Sequence, residues 1–352
     1  MTCSQLNIGK RLVGSGYPVY IVAELSANHR GDIDHTERTI RAMAEAGADA
    51  VKIQTYTADT LTISCDNEHF KIGGGTLWDG KTLHELYHEA AMPWEWTADL
   101  KRMANDLGME FFSTPFDATA VDFLEGHDVQ VHKVASFELV DLPLLRRIAQ
   151  TGKPIIASTG MATLNEIEEA VNTIREAGGN QLALLKCTSA YPAAPDEMDL
   201  RTIADMAERF ELPVGLSDHT MGHTVAVAAV ALGATIVEKH FTLSRDEPGP
   251  DSTFSMEPAE FADMVQAIRM TEKALGKANY DVSPKEAKSR VFRRSLFVVE
   301  DVKAGDPVTA ENVRSIRPGG GLHTRHLEEI MNRTFKADLE VGTPLSWEHL
   351  EE

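Results

Sequence analysis

Two histidines stand twenty-one positions apart, His219 in Gly-Leu-Ser-Asp-His-Thr (215–220) and His240 in Ile-Val-Glu-Lys-His-Phe (236–241), and each closes a short apolar run. Side chains alternate along an extended chain, so Ser217 shares a face with His219, and Glu238 with His240. Two neutral imidazoles with open coordination positions suit a borderline divalent ion such as Mn²⁺ or Zn²⁺, which can polarise a carbonyl as a Lewis acid. The alternative is two unrelated histidines satisfied by backbone carbonyls. Asp218 falls on the opposite face from His219 and reads as structural support. Other apolar runs end in Glu24, Lys52 with Gln54, Thr114, Lys133 with Ser136, Ser158 with Thr159, and Thr188 with Ser189. Lysine is seldom buried without a partner, so Lys52 and Lys133 in one site imply an anion. The hydroxyls of Thr114, Ser136, Ser158, Ser189 and Ser217 make a phosphate, or a phosphate plus a carboxylate, the economical ligand. The competing reading pairs each lysine with Glu24 or Glu238. Lys133 and Ser136 differ by three positions, so the chain must bend near Ala135 if both contribute. Cys187 reads as a small core residue or a neighbour of this site.

The elements that must position these groups are legible as alternating short apolar runs and amphipathic stretches. The runs cover 20–25, 50–54, 109–114, 130–136, 154–159, 182–188, 213–219 and 235–240, which makes eight. Helical patterns fall at 33–46, 118–125, 164–177, 201–210, 224–232 and 258–275, several followed by glycine, the residue that commonly ends a helix before the next strand. Eight β-then-α repeats predict an α/β fold, a closed (β/α)₈ TIM barrel, whose active site lies at the C-terminal ends of its strands. A doubly wound open sheet is the alternative, but the Gly-x-Gly-x-x-Gly fingerprint after the first strand is missing. The expected organisation is a barrel domain over 1–276, a polar linker over 277–290 and a compact α+β domain over 291–352. In the barrel domain 6–18 reads as a hairpin turning at Gly14-Ser15-Gly16 and capping one end. The last domain has strands at 295–299 and 313–316 and a helix at 324–331.

One connection is anomalous. About forty residues, 56–93, separate the second strand from its helix, and loops of that length in a compact domain are usually functional or disordered. This one carries Gly73-Gly74-Gly75, Trp78 and Pro93-Trp94-Glu95-Trp96, and reads as a lid or substrate loop. Its triglycine is a weak phosphate-loop candidate, since no Gly-Lys-Ser/Thr follows.

Composition narrows the partners. A formal net charge of −20 disfavours nucleic acid, which needs clustered Lys and Arg, so an anionic substrate requires a local basic pocket. No apolar stretch approaches the roughly eighteen residues of a membrane span, and Met1-Thr2-Cys3-Ser4-Gln5 lacks a signal-peptide layout. Three cysteines, Cys3, Cys65 and Cys187, are too few and scattered for a disulfide framework. A cytoplasmic protein is expected.

Several segments then carry a resemblance. Ala23-Glu24-Leu25-Ser26-Ala27-Asn28-His29, Val51-Lys52-Ile53-Gln54, Ser113-Thr114-Pro115-Phe116, Ser158-Thr159-Gly160-Met161, Ser217-Asp218-His219-Thr220 and Glu238-Lys239-His240-Phe241-Thr242 resemble the sialic acid synthase family. Lys303-Ala304-Gly305 and Arg317-Pro318-Gly319 are similar to that family's antifreeze-like (SAF) domain. Leu77-Trp78-Asp79-Gly80, Pro93-Trp94-Glu95-Trp96, Ala135-Ser136-Phe137-Glu138 and Cys187-Thr188-Ser189 look most like its pseudaminic acid synthases. The resemblance implies metal-dependent condensation of phosphoenolpyruvate with the open-chain aldehyde of an acetamido sugar, 2,4-diacetamido-2,4,6-trideoxy-β-L-altropyranose, to a nine-carbon 2-keto acid and phosphate. Mn²⁺ is the expected metal.

Carried over residue by residue, the resemblance makes His219 and His240 the metal ligands. Lys52, Thr114, Lys133, Ser136, Ser158 and Ser217 become the phosphoenolpyruvate contacts, and Glu24, Tyr191 and Asp251 face the sugar. Arg317 matches an arginine inserted into the partner subunit's barrel, which implies a domain-swapped homodimer. Two positions depart from the neuraminic acid synthases. Ser189 stands where they carry Asn, so its contact with a substrate carboxylate would run through water. Ala135-Ser136-Phe137-Glu138 replaces Gly-Ser-Gly-Glu, and Phe137 would suit a more apolar, 6-deoxy sugar. Glu24 is the first choice for activating the water that adds to the phosphate-bearing carbon, with Glu238 the second. The alternatives are synthesis of N,N'-diacetyllegionaminate or N-acetylneuraminate, a Schiff-base aldolase using Lys52, Lys133 or Lys186, and a non-catalytic sugar-binding protein.

Overall fold

The computed structural model describes residues 5–351 except Gly74, Thr76, Leu77 and Pro248. The segment Met1–Ser4, on which the reading of the amino terminus and Cys3 rested, and Gly74 of the triglycine lie outside the described residues. The chain divides into two units, one ending at Gly276 and the other beginning at Lys277.

The first unit begins with a hairpin of β1 (Leu6–Ile8) and β2 (Arg11–Val13). Its turn is not at Gly14-Ser15-Gly16. Ile8 pairs with Arg11, so the chain reverses at Gly9-Lys10, where Gly9 takes the left-handed φ of 56° that a tight hairpin turn asks of glycine. Leu6, Ile8 and Val13 face one way and pack with Tyr20, Val22, Phe112, Ile156, Leu185 and Ile236, so the hairpin plugs the N-terminal end of the barrel.

Eight parallel strands follow, β3 (Tyr20–Glu24), β4 (Ala50–Thr55), β5 (Glu110–Pro115), β6 (His132–Val134), β7 (Ile155–Ser158), β8 (Leu182–Cys187), β9 (Val214–Asp218) and β10 (Ile236–His240). They close in chain order, β10 pairing β3, into the TIM barrel read from the repeats. Period-2 alternation divides each strand. Val51, Ile53, Ile21, Ala23 and Val237 face outward onto the helices Ile33–Glu45 and Pro258–Leu275, whereas Ala50, Tyr20, Val22 and Ile236 fill the interior. The same alternation sends Lys239 and Asp218 outward, where their buried side chains pair at 2.7 Å, while Ser217 and Glu238 point inward.

The long connection after β4 is structured rather than open. It holds the helices Ala58–Leu61 and Leu83–Ala90 and a bridge between Lys71 and Thr82. The Trp94 indole N–H donates to the Tyr56 carbonyl at 3.0 Å, closing its two ends on each other.

In the second unit β11 (Ser295–Val298) and β12 (Val313–Ile316) pair antiparallel around Leu296, Val298, Val308, Ile330, Phe335 and Leu345. The stretch expected as a linker contains a helix, Pro284–Ser289, whose first turn is closed by a Ser283–Glu286 capping box; Ser-x-x-Glu with proline at the first helical position is the sequence signal for it, set within a polar composition. No helix among the described residues is long and apolar enough to cross a membrane.

Gly215 of β9 sits where the barrel interior leaves no room for a side chain. A Cβ there would press on the Ile236 carbonyl oxygen and lie 2.7 Å from Leu185 Cδ2. Gly215→Ala should therefore overpack the barrel and lower the urea midpoint, at a cost of about 1–3 kcal/mol; an unchanged midpoint would contradict this packing.

Candidate active site

A cavity of about 470 Å³ opens at the mouth of the barrel, and its lining includes Lys52, Lys133, Ser136, Ser158, Ser217, His219, Glu238 and His240. Strand register explains the convergence, because β10, β3 and β4 align His240 with Glu24 and Glu24 with Lys52, and β9 and β10 align Ser217 with Glu238.

Lys52 Nζ lies 2.9 Å from Glu24 Oε2 and 3.4 Å from Glu238 Oε1, and all three side chains are buried. The reading that paired the lysines with carboxylates is thus realised for Lys52. Lys133 is different. Its nearest carboxylate oxygen is Glu238 Oε1 at 3.9 Å, and its ammonium donates to Ser158 Oγ at 2.6 Å and to the Val134 carbonyl at 2.8 Å. Burial accordingly lowers the proton affinity of Lys133, whereas for Lys52 the two glutamates outweigh burial and raise it. Burial raises Glu24 above the usual carboxylate range; at Glu238 burial acts the same way but is overcome by Lys133, Lys52 and His219, which hold it low.

Around Lys133 the hydroxyls form a cradle. β6 ends at Val134 and the chain turns at Ser136, which places both Lys133 and Ser136 on the cavity despite their odd spacing. The Gly160 N–H donates to Ser136 Oγ at 3.1 Å, and a side chain at Gly160 would collide with the hydroxyls of Ser136 and Ser189. Ser189, Thr114 and Glu24 stand one layer back from the lining. Ser189 Oγ is 3.9 Å from Cys187 Sγ, and Thr114 Oγ1 accepts from Lys52 at 3.5 Å.

The imidazoles of His219 and His240 have ring centroids 5.4 Å apart. His219 Nδ1 lies 2.9 Å from the Thr188 carbonyl, which makes it the protonated nitrogen and leaves Nε2 as a lone-pair donor. Only this one nitrogen meets the backbone-satisfied alternative. His240 Nδ1 is buried with no hydrogen-bond partner, and burial, then the neighbouring His219, holds the ring neutral by pulling its pKa far below the ordinary value. No cluster of three His, Cys, Asp or Glu able to hold a metal occurs among the described residues. Burial disfavours the His219 cation, but Cys187 and the Thr188 carbonyl outweigh it and raise the ring's proton affinity; in their neutral forms the two rings offer nitrogen donors to a roomy cavity, which fits an ion that takes its remaining ligands from water and substrate.

Asp251 accepts from the Ser26 hydroxyl and, at 3.3 Å, from the Ala27 N–H. Tyr191 packs 4.4 Å from the His219 ring and 6.0 Å from Trp78, whose indole N–H donates to the Pro250 carbonyl at 3.1 Å. Arg317 lies just past β12 in the second unit and is exposed there.

Two lining groups carried no assigned role in the sequence. Ser26 holds Asp251 from a positive-φ position two residues past β3. Glu138, in the short turn Phe137–Val140 after β6, has its pKa pushed up to about 7 by burial and presents an Oε2 without a hydrogen-bond partner. A search of strand ends misses both, because each sits on the turn beyond the strand; Glu138 was visible only as part of Ala135-Ser136-Phe137-Glu138.

Comparison with known proteins places this geometry. The NeuB family model matches residues 39–280 and the SAF domain model residues 293–351. The pseudaminic acid synthase of Campylobacter jejuni subsp. jejuni serotype O:23/36 (strain 81-176) is 44% identical over 93% of this chain and 95% of its own length. The pseudaminic acid synthase of Helicobacter pylori (strain ATCC 700392 / 26695) is 42% identical over 95% of this chain and 98% of its own. Among solved structures, the N-acetylneuraminic acid synthetase of Leptospira borgpetersenii serovar Hardjo-bovis in complex with citrate superposes with a TM-score of 0.72 at 31% identity, covering 82% of this chain and 95% of that one. The barrel model spans most of the first unit and the relatives align along nearly the whole chain, so this chain belongs to the NeuB family.

Proposed function

We propose that the chain condenses phosphoenolpyruvate with the open-chain form of 2,4-diacetamido-2,4,6-trideoxy-β-L-altropyranose, giving pseudaminic acid and phosphate. The observation that carries the reading is that the Lys133 hydroxyl cradle and the His219–His240 pair open into one cavity. An anionic phosphate donor and a carbonyl acceptor can thus meet at near-attack distance.

Lys52 and Lys133 neutralise the phosphate and carboxylate of phosphoenolpyruvate, with Ser136, Ser158 and Ser217 donating around it and Thr114 and Ser189 fixing the lining from behind. Asp251 and Tyr191 orient the sugar. His219 and His240 would hold a divalent ion, Mn²⁺ by expectation, which when bound supplies Lewis-acid polarisation of the aldehyde. The enol carbon attacks the aldehyde carbon, and the aldehyde oxygen takes a proton from Glu138, which is part-protonated at neutral pH. Water adds to the resulting cation at the phosphate-bearing carbon and gives its proton to Glu24, whose raised proton affinity suits a base better than Glu238, which stays ionised between the lysines. Phosphate then leaves with carbon–oxygen cleavage, taking the proton of the newly added hydroxyl as the 2-keto group forms. The same proposal includes a domain-swapped homodimer in which Arg317 completes the partner subunit's cavity, and a cytoplasmic location.

The first test is phosphate release from phosphoenolpyruvate with Mn²⁺ and the altrose sugar, its legionaminic-type isomer or N-acetylmannosamine. Release with the altrose sugar alone is expected. Release only with another sugar keeps the chemistry and overturns the substrate. Silence with all three, together with borohydride trapping of a keto acid on a lysine, would transfer the reading to an aldolase.

Chelation should abolish phosphate release and added Mn²⁺ should restore it, whereas His219→Ala and His240→Ala should stay inactive at every Mn²⁺ concentration; full activity of either variant removes the metal assignment. A general acid must hold its proton, so kcat/KM should fall as pH rises through about 7. Glu138→Gln should flatten that limb and lower kcat by about 100-fold or more. A pH profile unchanged from that of the unaltered chain would take Glu138 out of the mechanism.

A further inference from the structure

The cavity's lining is of two kinds. Besides its charged and polar groups it holds an apolar wall of carbon-only side chains, Leu61, Ile72, Leu83, Leu86 and Phe116. All but Phe116 come from the long connection after β4. Tyr56 and Tyr87 line the cavity beside this wall. Leu86 is only 8% exposed, and Tyr56 packs edge-on against Tyr87 at 6.0 Å and Phe116 at 5.1 Å. The helix Leu83–Ala90 is pinned at its start by the Thr82–Glu85 capping box and at its end by a His29 Nε2 contact to the Ala90 carbonyl at 2.9 Å.

We propose that this wall selects the substrate by its deoxy end, accepting a methyl-bearing sugar and disfavouring its hydroxylated counterpart. The inference rests on the condensation reading above and adds the residues that discriminate. The aldehyde end of the sugar is committed to the histidine side of the cavity, so the opposite end of its carbon chain meets the lining that the lysines, hydroxyls and imidazoles leave over. A methyl against these five side chains loses water contact favourably, whereas a hydroxyl there gives up its hydrogen bonds to water and finds no donor or acceptor among them, which leaves it only the neighbouring Tyr56 and Tyr87 hydroxyls. Such a pocket rejects an added hydroxyl by about 100-fold at most, because the hydroxyl's extra bulk is small. Phe137, 61% exposed while lining the same cavity, extends the apolar surface toward the rim.

The experiment compares kcat/KM for phosphate release with the 6-deoxy diacetamido sugar and with its 6-hydroxy counterpart, in the unaltered chain, Leu86→Asn and Leu61→Asn. The unaltered chain should prefer the deoxy sugar by about 10- to 100-fold. Each variant should bring the ratio to within a few-fold of unity, mainly through KM for the sugar, with KM for phosphoenolpyruvate unmoved. Leu61 is only half-buried, so Leu61→Asn keeps the test alive should Leu86→Asn fail to fold. An active variant that retains the original ratio overturns the wall as discriminator and leaves the condensation reading standing. Silence of the unaltered chain with every sugar overturns the condensation reading, and this inference with it.

Discussion

Buried charge sets the terms for this barrel mouth. Lys52, Lys133, Glu24 and Glu238 are all withdrawn from water, and an uncompensated ion there would cost several kcal/mol (order of magnitude). The four side chains balance one another, but unevenly, since Lys52 is gripped by two carboxylates and Lys133 sits at 3.9 Å from the nearest. Lys133 is therefore the cation that gains most from an incoming anion. The cluster also depends on register, because sliding β10 or β4 by one residue would turn Glu238 or Lys52 out of the interior.

The outward face of the same strands shows how that register is held. Lys239 and Asp218, one position from the inward-facing Glu238 and beside His219, form a second buried ion pair behind the sheet. Asp218 also accepts from the Thr220 backbone and hydroxyl at 2.9 and 2.8 Å, which shapes the chain where His219 leaves the strand. Asp218 thus positions His219 without facing the cavity. The barrel strands supply the charged chemistry, and the connection after β4 supplies most of the apolar enclosure, a division between rigid floor and elaborated loop that suits the fold.

Much of this was readable in the order of the residues. Apolar runs with alternating polar ends located all eight strands, and the inward pairs Ser217 with His219 and Glu238 with His240 followed from period two alone. Errors arose where a turn rather than a period decides. The hairpin reverses at Gly9-Lys10 because Leu6, Ile8 and Val13 must all reach the barrel floor, a demand invisible until that floor exists. Glu138 and Ser26 sit on turns beyond the strands, where no periodicity announces direction.

Residue types and spacing by themselves determined the fold class, the two imidazoles, the two lysines and the hydroxyls, since hydrophobic periodicity and strand alternation are local properties of the chain. Only the tertiary structure decided which lysine is paired and which is poised, which carboxylate burial raises and which its neighbours lower, and that Leu61, Ile72, Leu83 and Leu86 line the same cavity as the lysines. These depend on distances between elements far apart in sequence, and both desolvation and Coulomb interaction are set by those distances rather than by residue type.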